Sequence, residues 1–498
     1  MLRHSFIPFT DYIKLNRNNT KALYIQLAEQ LAAAIEKEHI PAGTKLPGSR
    51  EMSKTLHIER KTVLAAYREL EAWGFLDIQA NKGSFVCGKS EFSTSAKPGP
   101  MSGAKRLEEA GFSFKKTFLL DSPFEHSALP FILNDGTPDI RLTQLHHLSS
   151  AYSAQLKRRS NRNKMGFNHQ GSEYFKHQIT HYLNTSKGLG CNKENVLITR
   201  STEMALYICV KLLIKPGDRV VIGSPSNFSA NMVFQHQGAR TIPIKVDRNG
   251  LDTRELEALC KKQAVRMVYI NPLQHYPTTA VLSEKRRAHL LELAEKYGFI
   301  ILEDDYDADF YYSESQRLPL FSADNNAMSV YIGTFGRSLA PGFRTGYLVA
   351  PKDLTKEMSK YLGIIDRQGD ILMEQALGEL IEDGIINRYL RKSLLEYENR
   401  RDHTCNLIKK HFGKSVEFQL PSAGLAIWLE FKDKVNLLKF SNTCQKRGVF
   451  IARNMLYQDR NTRAMRLGFG HLSPQEMDKV IPILAEQYAL EAKAPQGS

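Results

Sequence analysis

Phe299-Ile300-Ile301-Leu302-Glu303-Asp304-Asp305-Tyr306-Asp307 is the stretch on which the fold of this 498-residue chain turns. Four apolar residues give way at once to four carboxylates and a tyrosine. A short apolar run without alternation reads as a strand covered on both faces. Working outward, Val196-Leu197-Ile198, Val220-Val221-Ile222, Arg266-Met267-Val268-Tyr269-Ile270 and Val330-Tyr331-Ile332 are further runs of this kind, separated by helical stretches. Strands alternating with helices predict an α/β domain on a mainly parallel, doubly covered sheet. From about Arg391 helices and strands follow in mixed order, which predicts a small C-terminal α+β subdomain. No internal repeat is present.

Residues 12–88 read as a separate unit. Leu23, Leu27, Leu31, Ala34 and Ile35 fall at helical spacing, and Pro41-Ala42-Gly43 ends that helix. A second helix starts near Ser49, a good capping residue, and runs to about Leu56. A third, after His57-Ile58-Glu59, carries Val63, Ala66, Tyr67 and Leu70 on one face. Phe75–Gln79, a turn at Asn81-Lys82-Gly83, and Ser84–Cys87 form a hairpin. Three helices and a hairpin are the order of a winged helix-turn-helix. Residues 89–127, rich in Ser, Lys, Pro and Gly, read as a linker with a short helix near Leu107. Residues 128–490 make up the α/β domain.

Composition narrows the class. With 42% hydrophobic and 24% charged residues the chain is a globular protein of more than one domain. No apolar run approaches the roughly 18 residues of a spanning helix, so no membrane partner is expected. Met1–Thr10 lacks the apolar core of an export signal. The six cysteines form no CxxC pair and no metal-ligand spacing, which fits reduced cytoplasmic thiols and no metal. The net charge of +15 favours an acidic partner such as nucleic acid, provided the charges cluster. The run Lys157-Arg158-Arg159-Ser160-Asn161-Arg162 is read as the solvated face of a helix rather than a second DNA contact.

The charges at the head do cluster. Leu46-Pro47-Gly48-Ser49-Arg50-Glu51-Met52, Arg60-Lys61-Thr62-Val63 and Tyr67-Arg68-Glu69-Leu70-Glu71-Ala72-Trp73-Gly74 resemble, at fixed spacing, the GntR-family winged helix-turn-helix over nearly all of residues 20–87. The resemblance implies double-stranded DNA as partner. Arg60, Lys61 and Thr62 open the third helix, whose first turn reaches base edges in the major groove. Arginine can bond guanine bidentately, whereas lysine and threonine more often meet phosphate. Ser49 and Arg50 fall where the family clamps the backbone, and Lys82 and Gly83 form the wing tip. Glu59 stands where the family has Ser or Thr, and its charge opposes nearby phosphates.

From about residue 129 to 490 the chain resembles fold-type I aminotransferases, and the pairing with a GntR head is that of the MocR subgroup. Glu303-Asp304-Asp305-Tyr306-Asp307 matches the block whose aspartate pairs with the pyridine nitrogen of pyridoxal phosphate and whose tyrosine bonds the ring hydroxyl. Those roles fall to Asp304 and Tyr306, with Asn271 beside them in Asn271-Pro272-Leu273-Gln274-His275-Tyr276-Pro277. In Tyr331-Ile332-Gly333-Thr334-Phe335-Gly336-Arg337-Ser338-Leu339-Ala340-Pro341-Gly342-Phe343-Arg344, Arg344 matches the phosphate-binding arginine. Arg337 occupies the place of the lysine that holds the cofactor covalently. A guanidinium stays protonated, with a pKa above about 12, and cannot take that role. Further departures are Arg200-Ser201-Thr202-Glu203-Met204 at the phosphate cup, Asn227 for the ring-stacking tyrosine, and Phe167 for a phosphate-binding tyrosine. Arg466 matches the position that grips a substrate carboxylate.

The resemblance implies a homodimeric transcription regulator, head-to-tail, whose aminotransferase-like domain is catalytically inactive and senses a small anionic effector. Two ligands stay open. Pyridoxal or pyridoxamine phosphate would bind non-covalently through Asp304, Tyr306, Arg344 and Asn271; another small anion would use Arg337, Arg344 and Arg466. An empty, architectural pocket is a third reading. The alternative function is a pyridoxal-phosphate-dependent aminotransferase with a DNA-binding head, which needs another lysine.

Overall fold

The computed structural model describes residues 9, 13–16, 21–79, 82–87, 110, 112–122, 125–143, 145–161, 171–307, 309–312, 317–335, 344–367, 369–460 and 462–493. They fall into two compact units, within 1–115 and 116–498. The expected helix near Leu107 lies outside the described residues.

The first unit runs α1 (Leu23–Glu36), β1 (Lys45–Leu46), α2 (Ser49–Leu56), α3 (Arg60–Ala72), β2 (Leu76–Gln79) and β3 (Gly83–Val86). Leu27 and Leu31 of α1, Met52 of α2, and Val63, Tyr67 and Leu70 of α3 close one core with Leu46, Leu76 and Val86. The Tyr67 hydroxyl satisfies its buried polar end by donating to the Pro47 carbonyl at 2.8 Å, tying α3 to the turn before α2. The hairpin gains an unexpected third strand: β1 pairs antiparallel with β3, giving the order β1-β3-β2. Gly83 has a φ of +126°, a backbone conformation that L side chains rarely adopt, so the wing turn favours glycine there.

The second unit continues with β4 (Phe131–Ile132), α4 (Leu145–Lys157), α5 (Glu173–Lys187), β5 (Val196–Thr199), α6 (Thr202–Leu213), β6 (Arg219–Ser224), α7 (Phe228–His236), β7 (Arg240–Asp247), β8 (Gly250–Leu251), α8 (Thr253–Cys260) and β9 (Met267–Ile270). Next come α9 (Glu284–Tyr297), β10 (Ile300–Asp305), β11 (Ser329–Thr334), β12 (Gly346–Val349), α10 (Lys352–Ile365), α11 (Ile371–Glu382) and α12 (Ile385–Phe412). The chain ends with β13 (Val416–Glu417), β14 (Ala426–Phe431), α13 (Leu437–Lys446), β15 (Val449–Phe450), β16 (Leu456–Gln458), β17 (Arg463–Gly468) and α14 (Pro474–Lys493).

Eight strands form one sheet in the order β5-β12-β11-β10-β9-β6-β7-β8. From β11 through β7 neighbours are parallel, while β12 runs antiparallel to both its neighbours and β8 to β7. Alternation along each strand sends successive side chains to opposite faces. Ile222, Tyr269, Leu302 and Ile332 pack under α6 and α7, whereas Val221, Val268 and Ile301 pack under α8 and α9. Both faces are therefore covered, as the unbroken apolar runs require. The parallel strands end together, so β10 delivers Asp304 and Asp305 to the edge where β9 leads into Asn271.

The small subdomain centres on β13-β14-β17-β16, backed by α12, α13 and α14. Two details differ from expectation. Arg391 lies inside the continuous helix α12 and marks no boundary in the chain. Residues 131–133 also join this subdomain, because β4 pairs parallel with β15 and Leu133 enters its core.

Candidate functional site

On the first unit, α2 and α3 both begin on one exposed edge. Ser49, expected as a cap, is the first residue of α2, with Gly48 at the cap position. Its hydroxyl is thereby left to accept from Arg60 Nε at 3.2 Å, which joins the starts of the two helices. Arg50, Arg60, Lys61 and Lys82 are exposed and Thr62 is half-buried. Lys82 and Gly83 sit at the wing turn. Glu59 Oε2 lies 2.8 Å from Lys61 Nζ, and that hydrogen bond and charge hold the ammonium above its ordinary range.

On the second unit, Asp304 is 5% exposed at the end of β10. Its Oδ2 accepts from the Tyr269 hydroxyl at 2.5 Å, and its backbone carbonyl accepts from Asn271 Nδ2 at 2.8 Å. Asn227 Nδ2 in turn donates to the Tyr269 oxygen at 3.2 Å. Asn271 Oδ1 is buried with no hydrogen-bond partner among the described residues. An acceptor left in that state calls for a donor.

The Tyr306 hydroxyl accepts from Arg466 Nη2 at 3.2 Å. Arg466 is fully buried, and its other nitrogens donate to the carbonyls of Asp135 (Nε, 2.8 Å) and Pro277 (Nη1, 2.8 Å). The Tyr276 ring lies 4.6 Å from its guanidinium carbon, and the Tyr276 hydroxyl donates to Asp135 Oδ2 at 2.9 Å. Burial pulls the Arg466 pKa down, but the neighbouring phenols and carboxylates outweigh it and the group stays charged. His275 beside this cluster is neutral, pushed down to about 4 by burial.

Asp305 points to the opposite face of β10. It accepts from Tyr331 and pairs with Lys187 Nζ at 3.2 Å, and Lys187 also pairs with Asp309 at 3.0 Å. Burial alone would lower the Lys187 pKa; the two carboxylates more than reverse it and keep the ammonium charged.

Arg344 stands apart from this network. It lines a cavity of about 810 Å³ with Thr199, Arg200, Thr345, Asp366 and Arg367. Arg200 Nε pairs with Asp366 at 2.7 Å. Ser201 caps α6, its hydroxyl accepting from the Met204 N–H at 3.2 Å. Thus Asn271, Asp304 and Tyr306 line one small pocket, with Asn271 bonded to Asp304 and Arg466 to Tyr306, while Arg344 and Arg200 share the larger cavity. Arg337 and Phe167 lie outside the described residues.

A carboxylate, a phenol and a buried amide acceptor on one strand edge suit the polar rim of a hydroxypyridine, and Arg344 suits a phosphate. Among the described residues no cluster of His, Cys, Asp and Glu could hold a metal ion, and no helix is long and apolar enough to cross a membrane. Two residues escaped the sequence reading. Tyr269 was read only as strand, although its parity with Leu302 and Asp304 on adjoining parallel strands places it on their face. Lys187 follows Ile179 and Leu183 at helical spacing, which marks it as buried despite its polar neighbours.

Comparison with known proteins agrees with this geometry. The family model for aminotransferase class I and II matches residues 136–484, and that for the gntR family of bacterial regulatory proteins matches residues 23–86. A probable rhizopine catabolism regulatory protein MocR from Rhizobium meliloti is 25% identical over 488 residues, covering 96% of each chain. The HTH-type transcriptional regulator TauR of Rhodobacter capsulatus is 25% identical, covering 93% of this chain and 96% of its own. In fold, the second unit is similar to Pyrococcus horikoshii kynurenine aminotransferase, solved with PMP (TM-score 0.67, 24% identity, 74% of this chain and 92% of that one). The chain belongs to the aminotransferase class I and II family and carries a gntR-family DNA-binding domain at its head: it is a GntR-family regulator fused to an aminotransferase-like domain.

Proposed function

We propose that this regulator uses its aminotransferase-like unit as a receptor for a small anion, catalyses no transamination, and reads two DNA half-sites as a cytoplasmic head-to-tail homodimer. The observation that carries the reading is Arg337 at the position where the family needs a lysine. Its guanidinium keeps its proton at any physiological pH, with a pKa above about 12. Lys187, the buried lysine beside β10, offers no substitute: it faces away from Asp304 and is held as an ammonium between Asp305 and Asp309. A nucleophilic lysine must be neutral.

The ligand we favour is a B6 vitamer held without a covalent bond. Asp304, Tyr306 and Asn271 would meet the ring edge, and Arg344 the phosphate. When bound, such a ring supplies an electron sink. The chain's part is limited to binding and orientation. We assign Arg466 to holding the site together, because its three nitrogens already serve Asp135, Pro277 and Tyr306.

Pyridoxal phosphate titrated into the full-length protein, followed by borohydride and intact mass, tests this. Saturable binding with no mass increment is the expected result. A phosphopyridoxyl adduct mapped to a lysine would overturn the non-covalent reading and reopen the alternative of an aminotransferase with a DNA-binding head. No binding would leave another anion, or an empty pocket, as the occupant of the fold.

A further inference from the structure

We infer that Glu59 is a specificity-determining residue of the DNA interface, contacting an amino-bearing base edge (cytosine N4 or adenine N6) with Lys61 as its built-in counter-ion.

A Ser, Thr, Asp or Asn at the cap of a helix turns its side-chain oxygen back onto the first turn's N–H groups. Glu59 occupies that position on α3 with extended backbone (φ −67°, ψ 142°), and its longer side chain makes no such bond and is free to point outward. Its carboxylate reaches Lys61 instead, with the glutamate side chain 68% and the lysine side chain 84% exposed. The pair stands at the end of α3 that carries Arg60, itself turned toward Ser49 on α2. An unscreened carboxylate at that end would be repelled by the duplex. Paired with Lys61, the two groups together carry no net charge, so the repulsion is cancelled locally.

The consequence is chemical. A carboxylate only accepts hydrogen bonds, so in the major groove it can meet cytosine N4 or adenine N6 but not the O6 and N7 acceptors of guanine. Arg60 next to it has the opposite preference. Adjacent acceptor and donor side chains at one helix start read adjacent base edges of opposite polarity. The pairing also withdraws Lys61 from phosphate, so this module engages fewer phosphates than its count of cations suggests.

The inference rests on the DNA-binding reading of α3, and the experiment separates the two. Full-length wild-type protein, Glu59→Ser, Glu59→Gln and Arg60→Ala are each used to select binding sites from a randomised duplex library. The enriched sites are then titrated across salt concentrations. Circular dichroism checks that each variant is folded. The wild type should enrich a half-site with cytosine or adenine at one position next to the Arg60-dependent one. Glu59→Ser should lose discrimination there by roughly ten-fold or more, leaving the Arg60-dependent position intact. Glu59→Gln should bind all sequences more tightly, with a salt slope steeper by about one as Lys61 turns to phosphate. Identical base preferences in wild type and Glu59→Ser would overturn the inference while leaving the DNA-binding reading in place. Failure of the wild type to enrich any sequence would overturn that reading itself.

Discussion

Arg466 and Tyr306 are joined by a 3.2 Å hydrogen bond between a fully buried guanidinium and a phenol at the end of the acidic strand. The same guanidinium holds the Asp135 carbonyl, just after β4, and the Pro277 carbonyl. One side chain of β17 thus binds three separated stretches of chain around the candidate ligand site. Arg466→Met removes the donor from one buried carbonyl, one half-buried carbonyl and a phenol, at a cost on the order of 3 kcal/mol. Urea unfolding of the ligand-free protein measures it. Wild-type stability in that variant would return Arg466 to the role of an open anion receptor.

Lys187 makes a comparable demand on the other face of β10. Lys187→Met leaves Asp305 and Asp309 buried without their cation, a change expected to cost about 3–5 kcal/mol. Adding Asp309→Asn should recover part of that loss, since it removes one of the stranded charges. The sign of its pH dependence follows from the raised pKa. The stabilisation is complete below the ordinary lysine value and fades only as pH rises through the higher folded one. Wild type and variant should therefore differ by the same amount at every pH from 6 to 9. A gap that narrows across this range would mean that Lys187 loses its proton there.

These two residues also show how far the sequence could be read. The apolar runs of β5, β6, β9, β10 and β11 were legible because a strand covered on both faces needs no alternation. Strand β7 was not, since Pro243 interrupts Arg240–Asp247 and proline argues against a central strand. The structure tolerates it because β7 lies near the edge, followed only by the two-residue β8. Asp304 and Tyr306 could be singled out from one contiguous motif. The occupation of Arg466 could not, because Asp135, Pro277 and Tyr306 are far from it in the chain and local spacing carries no information on such contacts. The pairing of β4 with β15 was hidden for the same reason.

Glu374 supplies a titration in the neutral range. It is buried where α5 and α11 begin, and its Oε2 accepts from the Ser172 N–H at 2.6 Å. Burial pushes its pKa up to about 7, against the Ser172 hydrogen bond and Arg200, which lower it. In the unfolded chain it titrates near the usual carboxylate value, so between about pH 4.5 and 7 the folded state binds the extra proton. Stability from this group therefore falls as pH rises across that window. Glu374→Gln keeps an acceptor for Ser172 but cannot ionise. The variant should gain on the wild type by at most about 3 kcal/mol at pH 8 and lose that advantage at pH 5. Parallel stability curves for the two proteins would show that Glu374 is not the titrating group.

At the DNA-binding head, Arg50 and Arg60 are separable although both are exposed and both start helices. Arg60 is turned by its bond to Ser49 toward the start of α2; if α3 enters the major groove, as we propose, a guanine edge offers Arg60 two acceptors. Arg50 opens the preceding helix, where on the same proposal its cation would meet the phosphate backbone. Arg60→Ala should lower affinity for the preferred site by about 1–3 kcal/mol and leave non-specific binding nearly unchanged. Arg50→Ala should weaken preferred and random duplexes alike and reduce the salt slope by about one. Fluorescence anisotropy on one enriched and one scrambled duplex, at several salt concentrations, resolves the two. Equal losses on both duplexes for both variants would contradict the division of labour, because two phosphate clamps cannot distinguish one sequence from another.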